Sequence, residues 1–401
     1  MNRTSVNKIK IDFSKSKGSY IYNSNSGKSY LDLMGMYSTL AVGYNNTDVF
    51  SAADPATVNY LFANKITNCE IDSNVLQGFL TTFDSFLNSD KYFSEHHFCP
   101  TGALAIEAAV KTAIKYKGIK SPRILTFNGS FHGIYGYGGI LTDRFAPVNK
   151  RLEGFPGNYW GKAKPFYSNN SSEANENATF EDVIVSLRNE FTRDGTLSAV
   201  LVEPIQCTFG DYYLDNRFIK EIRRLCTEYD VPLIFDEIQT GVFTTGEDWY
   251  FKYTGIIPDI LVFGKKLQLA GISVAEKFTI IFSTPGALEA TWDSNLVDMY
   301  RSTLIMQYLN NLELNSIIKK RSAAFVAELE KIPDILNIRY CGYIIGFDLV
   351  SKATRDLFLE RLKNNSVICN ATREKTVRFR PHLLFNELDI EYSIQQIRKS
   401  L

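Results

Sequence analysis

Histidine is scarce in this sequence, with four in 401 residues. A centre built from several imidazoles has few candidates, and no metal is expected. Charge of one sign is absent too: 44 Lys plus Arg stand against 44 Asp plus Glu. Zero net charge gives no overall pull toward nucleic acid or an anionic membrane, and neither is expected as a partner. No run of about 18 apolar residues occurs, so no membrane-spanning helix is expected. The opening MNRTSVNKIKIDFSKSKGSY lacks the apolar core of a secretory signal. The six cysteines, Cys69, Cys99, Cys207, Cys226, Cys341 and Cys369, form no CxxC pair. Free thiols in a reducing cytoplasm are the expectation. No GxGxxG follows an early strand, which argues against a dinucleotide-binding dehydrogenase. No internal repeat is visible.

What is present is globular: 45% hydrophobic and 22% charged residues. The length suggests two or three domains. Thr101 to Lys117 and Phe218 to Tyr229 have helical periodicity. Short apolar runs alternate with them at Arg123 to Phe127, Leu197 to Val202, Val231 to Phe235, Ile260 to Phe263 and Phe278 to Phe282. Near-continuous apolar strands between helices predict a mostly parallel sheet covered on both faces. Ligands of such sheets sit beyond the carboxyl ends of the strands, which makes Glu203, Asp236 and Lys265 candidates for one shared site. Ser168 to Asn177 (SNNSSEANEN) reads as an exposed loop. The N-terminal fifty residues are turn-rich and aromatic, and the chain after residue 296 mixes helix and strand. The predicted organisation is a segment 1–50 contributing to a small domain, a large domain 51–290, and a small α+β domain 291–401.

The candidate chemistry follows from residue types. Lys265 follows Gly264 at the end of an apolar run, and a lysine desolvated there becomes a nucleophile. Asp236 ends a neighbouring run, where a carboxylate must be paired to be tolerated. An amine and an acid so placed suit pyridoxal phosphate: the lysine forms the Schiff base and the aspartate holds the pyridine nitrogen protonated. Thr101-Gly102-Ala103 opens a helix, and helix N-termini bind phosphate. Phe131, in Asn128 to Gly133, suits stacking on an aromatic ring. Singly, each feature also reads as something plainer: a solvated loop lysine, a helix cap, a core aromatic. Their order along the chain gives them force.

That order carries a resemblance. FDEIQTG (Phe235 to Gly241) followed by PDILVFGKKLQLAG (Pro258 to Gly271) resembles the signature of class III pyridoxal-phosphate aminotransferases, and the 29-residue step from Asp236 to Lys265 matches it. EPIQ at Glu203 to Gln206, TWDSN at Thr291 to Asn295 and VRFRP at Val377 to Pro381 are similar to further segments of the family. GALA, SFHG, FGKK and the TW-x-x-N-L-x-D-M run look most like L-lysine 6-aminotransferases. The resemblance implies an α/β chain of fold type I, with a large domain around a mostly parallel central sheet and a smaller α+β domain. It implies a homodimer binding pyridoxal 5′-phosphate, an amino donor, and a keto acid or aldehyde acceptor, with glutamate/2-oxoglutarate as co-substrate. Lys265 would be the Schiff-base lysine, with Lys266 the adjacent alternative, and Asp236 would pair with the ring nitrogen. Gln239 would lie near the 3′-oxygen. Gly102 and Ala103 would give N–H groups to the phosphate, and Thr291 would reach the partner subunit's cofactor. Phe131 would stack on the ring with His132 beside it, and Arg378 would bind a substrate carboxylate bidentately.

Two positions depart from the family. Thr208 stands where the family has a glutamate that masks the carboxylate-binding arginine. Ile134 stands where lysine 6-aminotransferases carry an arginine for the lysine α-carboxylate. Losing that partner costs a carboxylate on the order of 2–3 kcal/mol. The expectation is an ω-type transaminase for a donor with an apolar or aromatic body, motivated by Ile134, Phe209, Tyr135 and Tyr137, and not for free lysine. The alternatives are a lysine 6-aminotransferase proper and an amino acid racemase or epimerase using the same Lys265 and Asp236. A cofactor-free scaffold is a third, opposed by the intact Lys265, Asp236, Gln239 and Thr291.

Overall fold

The computed structural model describes residues 9–67, 71–145, 147–155, 160–168, 175 and 178–401. Cys69 lies outside these residues, as does Ser168 to Asn177 apart from Ser168 and Asn175. The chain forms two compact units. The larger holds Val58–Val242 and Glu247–Thr303; the smaller holds the described residues up to Thr57, Phe243–Gly246 and Leu304–Leu401.

The larger unit is built on a seven-stranded sheet. Its order across the sheet is Glu95–Cys99, Ala270–Val274, Ile260–Phe263, Leu233–Asp236, Leu197–Val202, Arg123–Phe127, Lys162–Ala163. The last five pair in parallel; Ala270–Val274 runs antiparallel to both its neighbours. Every residue of LSAVLV, LIFD and ILVF is buried, as strands covered on both faces require. Each fully buried Val, Leu, Ile or Phe contributes roughly 1.5–3 kcal/mol. The helix Gly102–Lys117 presents Ala105, Ala108, Ala109 and Ala113 to the same core, and small side chains let its backbone approach closely. It starts at the Thr101 N-cap and stops at Gly118, whose φ of +61° places it in the left-handed region that glycine tolerates.

The expected strand at Phe278 to Phe282 is a correction. Glu276–Phe278 is a turn of 3-10 helix and Thr279–Phe282 a turn of α-helix. The helical turn sends Phe278 and Ile281 inward and leaves Ile280 exposed, which strand alternation could not do. The strand is instead Ala270–Val274, whose Ala-Gly start hides it from propensity reasoning. Its Gly271 is required by close approach: a Cβ there would lie 2.4 Å from the His97 carbonyl oxygen. Two bounds also shift. The strand expected at Val231 to Phe235 is Leu233–Asp236, and the helix at Phe218 to Tyr229 is Asn216–Glu228 behind an Asp215 cap.

The smaller unit is α+β. A hairpin of Tyr20–Asn23 and Lys28–Asp32 is joined in parallel by Val367–Ile368. A four-stranded antiparallel sheet runs in the order Leu336–Cys341, Ile344–Asp348, Thr376–Phe379, Asn370–Thr372. The helices Leu314–Leu329, Lys352–Asn364 and Glu387–Ser400 complete it. Cys99, Cys207, Cys226, Cys341 and Cys369 are free thiols. Among the described residues, no helix is long and apolar enough to cross a membrane.

Candidate active site

Three adjacent parallel strands end at Val202, Asp236 and Phe263. Their registers, Val202 opposite Phe235 and Asp236 opposite Val262, bring Glu203, Asp236 and the turn carrying Lys265 to one edge of the sheet.

Asp236 is buried. Its carboxylate accepts hydrogen bonds from His132 Nδ1 at 2.9 Å and from the Ile238 N–H at 3.2 Å. The His132 ring is fully buried, with Nε2 3.0 Å from the Thr126 hydroxyl. The His132 N–H donates to the Thr142 hydroxyl at 2.8 Å, which anchors the turn. Glu203 is equally buried and accepts the Phe131 N–H at 2.7 Å. Burial, and next the charge of Asp236, push its carboxyl well above the usual range; the Phe131 N–H and Lys265 oppose that push.

Lys265 lies just past the Ile260–Phe263 strand, half-buried, at φ +50°. That conformation costs a non-glycine residue about 1–3 kcal/mol and clusters at functional sites. Lys266 beside it is 1% exposed. Gly102 packs against Ile238, and a Cβ on it would lie 2.8 Å from Ile238 Cδ1. The N-terminus of the Gly102–Lys117 helix, with Ala103, therefore sits against the turn that follows Asp236. Its first N–H groups have no intrahelical acceptor. Gln239 is half-buried in the same turn.

Phe131 is half-buried, with its ring 5.5 Å from that of Phe145 in an edge contact. Ile134 is 49% exposed, and Tyr135 and Tyr137 beside it are exposed. Thr208 occupies the one-turn helix Cys207–Phe209, where its carbonyl accepts the Arg144 Nε at 2.5 Å. The structure thus gathers Asp236, His132, Phe131, Glu203 and Lys265, and links Gly102 to them through Ile238. Thr291 is exposed on the larger unit. Arg378 belongs to the smaller unit, in the Thr376–Phe379 strand opposite Gly346 and Asn370.

Sequence reasoning missed the second layer of contacts. Nothing in the sequence marked Thr126, Thr142 or Arg144. Glu203 was visible as a strand end, but its bond to Phe131 was not. Arg144 returns because the helix Gly136–Leu141 turns the chain back. Gly138 and Gly139 there leave no room for a Cβ against the His132 and Ile134 carbonyls. The Asp143 and Arg144 N–H groups then both reach the Ser130 carbonyl.

An aromatic residue held at the end of a buried carboxylate's strand, a lysine beyond the next strand and a helix N-terminus beside them form a donor set that fits pyridoxal phosphate. Comparison with known proteins agrees. The L-lysine-epsilon aminotransferase of Mycobacterium bovis is 30% identical over 415 residues, covering 98% of this chain and 92% of the relative. The 4-aminobutyrate aminotransferase of Saccharomyces cerevisiae is 28% identical, covering 97% and 89%. The solved lysine aminotransferase from M. tuberculosis in the internal aldimine form superposes with a TM-score of 0.89 at 28% identity, covering 100% of this chain and 96% of that one. The sequence model of class-III aminotransferases matches residues 1–401, and this chain belongs to that family of pyridoxal-phosphate-dependent transaminases.

Proposed function

We propose that the chain is an ω-type transaminase whose main donor has an apolar or aromatic body and is not free lysine, with glutamate/2-oxoglutarate as co-substrate. The observation that carries this reading is the half-exposed Ile134, flanked by exposed Tyr135 and Tyr137, where lysine 6-aminotransferases have an arginine. The related proteins named for lysine and 4-aminobutyrate show that the family accepts different donors.

Pyridoxal phosphate, when bound, supplies the electron sink that stabilises negative charge at the substrate Cα. Asp236, oriented by His132, would hold the proton on the cofactor's ring nitrogen. Lys265 would hold the cofactor and take the proton from the substrate Cα; its partial exposure, against the burial of Lys266, supports the choice between the two. Gly102 and Ala103 offer N–H groups to the phosphate, and Phe131 covers the ring. Gln239 serves the 3′-oxygen. Arg378 takes a carboxylate of the co-substrate. Thr291 acts across a homodimer; the exposed aromatics Tyr60 and Phe62, 69% and 89% exposed, support a covering partner. A cytoplasmic setting agrees with the five free thiols among the described residues.

A donor panel tests the reading. Hydrophobic amines are expected to exceed L-lysine in kcat/KM, and Ile134→Arg is expected to raise activity on lysine by about 10- to 100-fold. Lysine turned over far faster than the amines by the unaltered enzyme would defeat the proposal and leave a lysine 6-aminotransferase proper.

A further inference from the structure

We infer that Glu203 is a positioning residue for the cofactor: an uncharged carboxyl that holds the Phe131 backbone, and with it the ring that covers the cofactor, and leaves the negative charge on that edge of the sheet to Asp236. This rests on the placing of Phe131 and Asp236 at the cofactor proposed above.

Glu203 stands between the two groups it serves. The strand Leu197–Val202 that leads into it lies between Arg123–Phe127, which leads to the Phe131 turn, and Leu233–Asp236. In that turn the N–H groups of Gly129, Ser130 and His132 bond to Asp143, Phe127 and Thr142, all within one stretch of chain. The Phe131 N–H instead donates to Glu203 Oε1 at 2.7 Å, across 72 residues of sequence. That bond ties the turn to the sheet edge that holds Asp236. The Phe131 ring is half-buried and meets the 52% exposed Phe145 by its edge. So light a contact fixes the facing of the ring less firmly than the backbone beneath it does.

Charge supports the same role. Two buried carboxylates at neighbouring strand ends are costly to ionise together. Asp236 has two hydrogen-bond partners, His132 Nδ1 and the Ile238 N–H, whereas Glu203 accepts the Phe131 N–H. Burial and the charge of Asp236 both favour a protonated Glu203. A protonated carboxyl keeps an oxygen that accepts an N–H, so the bond to Phe131 survives without the charge. Glutamine reproduces that form, with the same length, an oxygen acceptor and no charge.

The test follows release of the cofactor from the holoenzyme, together with the visible circular dichroism of the bound cofactor, which reports how its ring is held. Glu203→Leu is expected to speed release by roughly 10- to 100-fold and to weaken the visible signal. Glu203→Asp keeps the carboxyl but is one carbon short of Phe131, so it should behave like Glu203→Leu and serves in its place if the leucine variant does not fold. Glu203→Gln should recover most of the loss. Phe131→Ala should also speed release, and adding Glu203→Leu to it should change release by less than about 3-fold, because the two act through one contact. Additive losses in that pair overturn the assignment and leave Glu203 a general structural tie. Glu203→Gln as impaired as Glu203→Leu overturns it too, by showing that the charge is what matters. If Phe131→Ala leaves release and dichroism as they are, the placing of Phe131 over the cofactor fails and takes this inference with it. If Phe131→Ala speeds release and Glu203→Leu does not, only the assignment of Glu203 fails.

Discussion

His132 Nδ1 reaches the Asp236 carboxylate across 104 residues of sequence, at 2.9 Å, with both side chains buried. The imidazole holds the carboxylate's orientation while the Ile238 N–H holds its other oxygen. Asp236→Asn keeps the shape and removes the charge, so its transamination rate is expected to fall by about 10³-fold or more. His132→Ala keeps the charge and removes one partner, and a loss of about 10- to 100-fold is expected. Single-turnover rates with a good donor would measure both. A milder effect for Asp236→Asn than for His132→Ala would contradict this division of roles.

Lys265 and Lys266 are neighbours in sequence but not in environment. The first is half-buried and the second 1% exposed. Lys265→Ala is expected to abolish both turnover and the cofactor absorbance band at roughly 410–430 nm. Lys266→Met is expected to keep the band, since methionine fills a comparable apolar volume. Absorbance spectra of the two purified variants decide the matter. A band retained without Lys265 would move the attachment point elsewhere.

Glu237 predicts a pH dependence of stability. It accepts the Tyr250 and Phe251 N–H groups at 2.6 and 2.8 Å, yet burial pushes its carboxyl up to about 8. Between about 4.5, its unfolded value, and about 8, the folded chain keeps a proton that the unfolded chain has released. This contribution to stability is therefore fully present below about 4.5 and lost as pH rises toward about 8, with a limiting slope of roughly 1.4 kcal/mol per pH unit. Glu237→Gln should flatten that slope. Urea unfolding from pH 5 to 8.5 compares the two proteins, and identical slopes would sink the prediction.

Much of the site could be read from residues alone because strand ends are local events. An apolar run followed by Asp236-Glu237, and another followed by Gly264-Lys265, mark where two strands stop. Parallel pairing then places those stops side by side. The same reasoning failed at Phe278 to Phe282, where five apolar or β-branched residues form helical turns. It also missed Ala270–Val274, whose small residues carry little pattern. There the tight contact of Gly271 with the His97 carbonyl, a tertiary fact, decides that a strand fits.

The sequence by itself determined the α/β class, through periodicity and apolar runs, and the class III family with its cofactor, through the order of its motifs. Only the tertiary structure decided which residues support them: His132 and the Ile238 N–H on Asp236, Phe131 on Glu203, and Arg144 on Thr208. Those pairs come from distant stretches or from a turn that folds back. Packing brings them together, and a linear pattern carries no record of which buried polar group finds which partner.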